Sequence, residues 1–204
     1  MHKLVITIGR QYGSGGREIG VRVAELLGIR SFDRELIKLA EGESGLAEAV
    51  VNNADERAAS SFTYTLSGGA TSHGMGYDSP VTDKIFIAQS NVIKMLAEET
   101  DCVIIGRCAD YVLRDHKKLI NIFVYGDIKD RVDRVMKRNG ISEGEARDLI
   151  KKTDKRRASY YNFYTGKKWG GYDHYDFIVN SSKLGIEGTA QVIAEIAKKF
   201  KKQS

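Results

Sequence analysis

Proline and cysteine are nearly missing from this chain: one proline, Pro80, and two cysteines, Cys102 and Cys108, occur in 204 residues. The cysteines lack CxxC spacing and further partners, which excludes a disulfide framework and a zinc site and suits reduced thiols in a cytosol. No run of about 18 apolar residues is present, so no membrane span is expected. The stretch Leu4–Ile8 meets Gly9 and Arg10 too early for the apolar part of a signal peptide, and a cytoplasmic protein is expected. His73, His116 and His174 are scattered without ligand spacing, and neither a Ser-His-Asp order nor a nucleophile elbow occurs. Internal repeats and low-complexity linkers are missing as well.

What is there is globular material. Hydrophobic residues are 42% and charged residues 29%, a balance that excludes fibrous and disordered classes. The length suits one sizeable domain that buries roughly two-thirds of its unfolded surface. Net charge, +5 overall, is divided unevenly. Residues 1–126 hold 14 Lys/Arg against 16 Asp/Glu, and residues 127–204 hold 18 against 11. A basic C-terminal third suits a partner carrying phosphates. Part of that excess, Lys198-Lys199-Phe200-Lys201-Lys202, falls in the last turns of an expected helix and complements its dipole.

Strand and helix signals alternate. Leu4–Ile8 is a short β-branched run, followed by a Gly-rich loop and by Ile19, Val23, Leu26 and Leu27 at helical spacing up to Gly28. Ile29–Phe32 reads as a second strand, with Asp33 as N-cap of a helix through Leu36, Ile37 and Ala40. Residues 42–80, rich in Gly, Ser, Ala and Asn, read as a mobile insertion with a helix near residues 46–61. Thr82–Glu99 is helical, Cys102–Ile105 is a buried strand ending at Gly106-Arg107, and Leu119–Tyr125 is another strand. Ile128, Val132, Val135 and Met136 mark the next helix, and Ser142-Glu-Gly-Glu145 opens a long basic helix with a capping box. Tyr175–Val179 is the last strand and Thr189–Lys202 the last helix. Continuous apolar strands between helices require a parallel sheet covered on both faces.

The loop Gly9-Arg-Gln-Tyr-Gly-Ser-Gly-Gly-Arg17 lies between the first strand and the first helix, where backbone N–H groups and a helix N-terminus can hold polyphosphate. It departs from Gly-x-x-x-x-Gly-Lys-Ser/Thr, because Gly16 stands at the lysine and Arg10 at the first glycine. Arg17 is the nearest cation able to replace that lysine, presenting a fork to the β- and γ-phosphates. No hydroxyl stands at the usual magnesium position, which leaves Ser14 or a water. The plainer reading is a tight strand-to-helix turn that uses glycine for its backbone geometry.

Other residues follow strand ends, where open α/β sheets bind ligands. Asp33 follows the second strand, where it is equally a helix cap, and Arg107 is delivered by a buried strand. Arg131-Val-Asp-Arg134 and the stretch from Asp154 and Arg157 through Tyr160, Tyr161, Phe163, Tyr164 and Trp169 supply the basic excess. Three readings stay open for it: a lid over a triphosphate, a stacking surface for single-stranded nucleic acid, or a solvated helix whose aromatics pack inward.

Five stretches carry a resemblance: Ile6–Ile19 around the Gly-Ser-Gly-Gly-Arg loop, Phe32-Asp-Arg-Glu35, Val103–Tyr111 with Gly106-Arg107, Tyr160–Trp169, and Asn180–Glu187. They resemble the cytidylate kinase-like family, within the nucleoside monophosphate kinases of the P-loop class. The resemblance implies a single kinase domain over residues 1–204: an α/β, P-loop NTPase-type three-layer fold with a parallel five-stranded sheet. Residues 42–80 would be the acceptor-binding insertion and residues 128–170 a basic helical lid. It places Gly13, Ser14, Gly15, Gly16 and Arg17 on the ATP phosphates. Arg17, Arg131, Arg134 and Arg157 are implied as catalytic cations, and Asp33, Arg107, Asp154 and Asp176 as acceptor-binding residues. ATP and Mg2+ are the implied cofactors, with no metal ligand assigned.

The expected reaction is transfer of the ATP γ-phosphoryl to a small phosphorylated acceptor, CMP or dCMP. A kinase of another small metabolite, or a nucleotide-binding sensor that transfers nothing, is the alternative. A nucleic-acid binder is the third reading, and the Gly loop argues against it.

Overall fold

The apolar strands are buried on both sides, and their side chains alternate between two cores as strand geometry demands. In a computed structural model, which describes residues 2–33 and 81–203, five strands form one sheet. They are β1 (Val5–Arg10), β2 (Arg30–Phe32), β3 (Cys102–Ile105), β4 (Leu119–Tyr125) and β5 (Phe177–Asn180). Their order is β2-β3-β1-β4-β5, and every pairing is parallel. The helices of the described residues are α1 (Gly16–Leu27), α2 (Val81–Glu99), α3 (Ala109–Val112), α4 (Ile128–Asn139), α5 (Glu143–Thr165) and α6 (Ser181–Gln203).

One core gathers Leu4 and, from the first strand, Ile6 and Ile8 with Val103, Ile105, Ile120, Ile122 and Val124, under Ile19 and Val23 of α1 and Ile193 and Ala197 of α6. The opposite core takes Val5, Phe32, Cys102 and Ile104 under Val92, Ile93 and Leu96 of α2 and Ala109 and Val112 of α3. Each fully buried Ile or Phe contributes about 1.5–3 kcal/mol of transfer free energy. This is the three-layer architecture expected from the alternation of strands and helices. A third, small cluster of Val132, Val135, Ala146 and Ile150 joins α4 to α5, with Tyr12 of the Gly loop packed against it.

Several boundaries differ from the sequence reading. The last strand starts at Phe177, because Tyr175 turns inward against Phe123, with ring centroids 5.0 Å apart. The last helix starts at Ser181 rather than Thr189, directly off β5, and bends at Gly185. The four-residue helix α3 after Arg107 was not expected. The capping box forms as read: Glu145 N donates to Ser142 Oγ at 3.4 Å and Ser142 N to Glu145 Oε2 at 2.9 Å. The helix after Asp33, the helix near residues 46–61 and the insertion over residues 42–80 lie outside the described residues.

Candidate phosphate-transfer site

Because the sheet is parallel, all strands end on one rim, and the residues after them share it. The loop after β1 is tightly built. Ser14 Oγ donates to Gln11 O at 2.8 Å and accepts from Gly16 N at 3.3 Å. Ser181, at the start of α6, donates from Oγ to Ser14 O at 2.6 Å. Gly13 has φ 78°, and a Cβ there would approach the Arg131 carbonyl oxygen to 2.8 Å, so a side chain is excluded twice over.

Helices α4 and α5 brace this loop. Arg131, 6% exposed, donates from Nε to Tyr12 O at 2.8 Å, from Nη1 to Gln11 Oε1 at 3.1 Å and from Nη2 to the Asp154 carboxylate. Asp154 Oδ1 also accepts from Tyr12 N at 2.7 Å. Arg134 Nη1 donates to Gly13 O at 2.6 Å, and Arg157 Nη1 to Arg10 O at 3.0 Å. The Tyr12 ring meets Arg138 and Arg157, whose guanidinium carbons are 4.9 and 5.5 Å from its centroid. Side chains from residues 131–157 therefore hold the backbone of residues 10–13.

Beside the loop lies a cationic cluster around Asp33. Arg17 donates from Nε to Asp33 Oδ2 at 2.7 Å, with its side chain 52% exposed, so it points along the rim to the carboxylate. Arg10 approaches the other oxygen, Nη2 to Oδ1, at 3.7 Å. Arg10 is a rim residue that sequence reasoning overlooked; the only signal was its intrusion at the position of the loop's first glycine. Its guanidinium lies over Gly106, where any Cβ would collide with it and where φ is 79°. Arg107 and Cys108 continue in the left-handed region at φ 60° and 53°. Such backbone costs of order 1–3 kcal/mol per non-glycine residue and persists where surroundings over-determine it. Here it delivers Arg107 to the rim.

Burial, reinforced by the nearby Arg10, pulls Arg107 down to about 10 and Arg157 down to about 9. Arg10 is lowered by burial as well, with Asp33 opposing the shift. Guanidinium groups remain protonated at neutral pH, so these downward pulls measure a charge-burial cost that an anion would offset. Burial likewise pushes the Cys102 thiol up to about 12 and the Cys108 thiol higher still, which keeps both protonated and unreactive.

The remaining expected residues divide. Asp154 and Arg157 share a face of α5 with Tyr160, Tyr161 and Tyr164, and this face runs from the loop to α2. There the Tyr164 hydroxyl donates to Asp83 Oδ1 at 2.8 Å and its ring stacks on Phe86 at 4.1 Å, while Tyr161 donates to Asp110 Oδ2 at 2.6 Å. Most of these aromatics pack inward; Phe163 is exposed. Asp176 is not brought to the rim. Its Oδ2 accepts from Asn121 N at 2.7 Å, beside the middle of β4 and four residues before that strand's end at Tyr125. For a metal, the described residues contain no group of three or more His, Cys, Asp or Glu side chains able to hold an ion. Ser14, the candidate hydroxyl, is fully buried and spent within the loop.

Comparison with known proteins bears out the fold and the family. An uncharacterized protein from Eubacterium ventriosum ATCC 27560 is similar in structure, with TM-score 0.70 and 28% identity, covering 96% of this chain and 99% of the other. Shikimate kinase from Bacteroides thetaiotaomicron shares the fold, with TM-score 0.55 and 15% identity, covering 96% and 98%. Cytidylate kinase from Pyrococcus horikoshii is 33% identical over 98 residues, which span 48% of this chain and 50% of that relative. The sequence profile of the Cytidylate kinase-like family matches residues 5–183, a span that includes the Gly loop, Asp33, the Gly106-Arg107 turn and both bracing helices. With its five-stranded parallel sheet and the glycine loop after the first strand, the chain belongs to the cytidylate kinase-like family.

Proposed function

We propose that this protein is a nucleoside monophosphate kinase-like phosphotransferase, moving the γ-phosphoryl of ATP to a small phosphorylated acceptor, CMP or dCMP. The observation that carries the reading is the gathering of Arg10, Arg107 and Arg157, all substantially buried, beside the Gly loop, with Asp33 near the first two and Asp154 near the third. Buried guanidinium groups gathered beside a glycine loop suit phosphate oxygens, and two phosphate groups would meet them there.

In this reading Gly13–Gly16 and the N-terminus of α1 hold the ATP phosphates through backbone N–H groups. Arg107 grips the acceptor phosphate, and Asp33 orients the acceptor. An acceptor phosphate oxygen attacks the γ-phosphorus in line, and the bond from that phosphorus to the bridging oxygen of ADP breaks. The acceptor phosphate is largely dianionic at neutral pH, since its second pKa is about 6, so the attack needs no general base. Arg17, released from Asp33, joins Arg134 and Arg157 in stabilising the charge on the transferring group. Arg131 and Asp154 act as positioning residues, because their polar atoms are committed to the loop and to each other. Asp176 has no part in it. Magnesium usually accompanies ATP in such transfers and neutralises phosphate charge. The described residues form no acidic cluster for it.

The test is ADP release from MgATP by the purified full chain with CMP, dCMP, UMP, AMP, GMP, shikimate or no acceptor. Release stimulated by CMP or dCMP is expected, and ADP formation with shikimate alone would move the reading to another metabolite. A second reading, nucleotide binding without transfer, draws on the engagement of Arg17 by Asp33 and of Ser14 within its own loop. It requires ATP affinity with no ADP formed for any acceptor.

A further inference from the structure

Gln89 lies on the stripe of α2 that faces the sheet, between Ile85 and Ile93, and is 1% exposed. Every other position of that stripe is apolar: Ile85, Val92, Ile93 and Leu96. Neither the Nε2 nor the Oε1 atom of Gln89 has a hydrogen-bond partner among the described residues. Tyr160 of α5 is in the same condition, its hydroxyl buried and without a hydrogen-bond partner among the described residues. The two residues are linked through Phe86. Its ring meets that of Tyr160 edge-on at 6.4 Å, and Phe86 and Gln89 are neighbours on the helix surface, three residues apart.

The Tyr160 hydroxyl is also within electrostatic reach of Arg107 and Cys108, the turn that brings a buried guanidinium to the rim. The first half of α2 thus stands at the acceptor end of the site, where Tyr164 joins Asp83. Its last turns lie at the opposite end of the sheet, beside His2, Lys3 and His116.

An orphaned buried polar group costs about 1–3 kcal/mol. A leucine or methionine would fill the place of Gln89 without that cost. Packing therefore gives no reason for a carboxamide here, and a phenylalanine would serve as well as Tyr160 in the aromatic stack. A carboxamide offers an N–H donor and a carbonyl acceptor side by side, and a phenol adds one of each.

We infer that Gln89 and Tyr160 form the recognition pocket for the non-phosphate end of the acceptor, a nucleobase edge carrying an adjacent donor and acceptor such as that of cytosine. This deepens the proposed function and rests on it: Arg107 takes the acceptor phosphate while the α2–α5 pair reads the base. An acceptor with apolar surface at that place leaves the amide and the hydroxyl unpaired and is rejected.

The experiment is calorimetric titration of the full chain with CMP, without ATP, for the wild type and for Gln89→Met and Tyr160→Phe, with ATP titrations and thermal melting of each. CMP binding at least about tenfold weaker in each variant is expected, equal to about 1.4 kcal/mol. ATP affinity should stay within about twofold, and Tm should be unchanged or higher because an orphaned group has been removed. Ribose 5-phosphate, which keeps the phosphate and lacks the base, should bind wild type and variants alike. CMP affinity unchanged in both variants overturns the inference while leaving the kinase reading intact. Tm, CMP affinity and ATP affinity falling together would also overturn it, since that is the mark of a structural role. Wild type that binds ATP but not CMP overturns the inference together with CMP as the acceptor, and the ADP-release panel then shows whether transfer to another acceptor survives.

Discussion

The two sides of the rim are built on opposite principles. On the proposed donor side, around Gly13–Gly16, polar groups find their partners inside the chain: Ser14 with Gln11 and Gly16, Arg134 with Gly13, and Arg131 with Tyr12, Gln11 and Asp154. On the proposed acceptor side, the turn at Gly106–Cys108 is strained, guanidinium groups crowd one another, and Gln89 and Tyr160 bury polar atoms without partners among the described residues. The first region is pre-organised backbone, finished before a ligand arrives. The second carries costs that a bound anion and a polar base would offset, and its stability should respond to ligand where that of the first should not.

Four substitutions sharpen or break this contrast. Arg107→Ala removes a buried charge on the acceptor side, so kcat/KM for the acceptor should fall about 10²–10³-fold while Tm holds or rises. Steady-state kinetics with thermal melting checks both, and a fall in Tm with unchanged kinetics would reverse the assignment of the two sides. Asp154→Ala strikes the donor side, leaving Arg131 buried without its carboxylate and Tyr12 N without its acceptor. Urea unfolding should show a loss of about 3–5 kcal/mol. Arg17→Ala should lower turnover about tenfold, or about 1.4 kcal/mol of transition-state stabilisation, with little loss of stability because the residue is half-exposed. Rapid-mix measurement of the transfer step would detect it, and an unchanged rate would remove Arg17 from the mechanism. Ser142→Ala, far from both sides, should cost about 1 kcal/mol of stability through the lost cap and leave CMP and ATP affinities as they were.

Inorganic phosphate adds a ligand-based check. Raising its concentration should raise the Tm of wild type, since an anion beside Arg10, Arg107 and Arg157 relieves their mutual repulsion. The Arg107→Ala variant should respond less, and equal responses would show that phosphate binds elsewhere.

Much of the scaffold could be read along the chain. Short apolar runs gave β1, β3 and β4, helical spacing gave α1 and α2, and Ser142 with Glu145 gave the start of α5, because periodicity and capping are local properties. That the Gly loop, Asp33 and Arg107 share a rim was legible for a related reason: in a parallel sheet, whatever follows a strand is delivered to one edge. The start of β5 was misjudged because Tyr175 answers to Phe123 and not to its own neighbours. Asp176, named only through the family resemblance, lies beside Asn121 and away from the strand ends, a placement set by the sheet.

Periodicity and turn chemistry thus dictated the layers, the parallel rim and the glycine loop, features that each depend on a few neighbouring residues. Only tertiary packing decided that Arg10 lies over Gly106, that Arg157 reaches the Arg10 carbonyl across 147 positions, and that Arg17 turns to Asp33. The same holds for Gln89, which has helical spacing like its apolar neighbours and reveals its unmatched amide only once a core has closed around it. Burial, charge crowding and unpaired donors are properties of what surrounds a residue in space, and chain order carries no record of them.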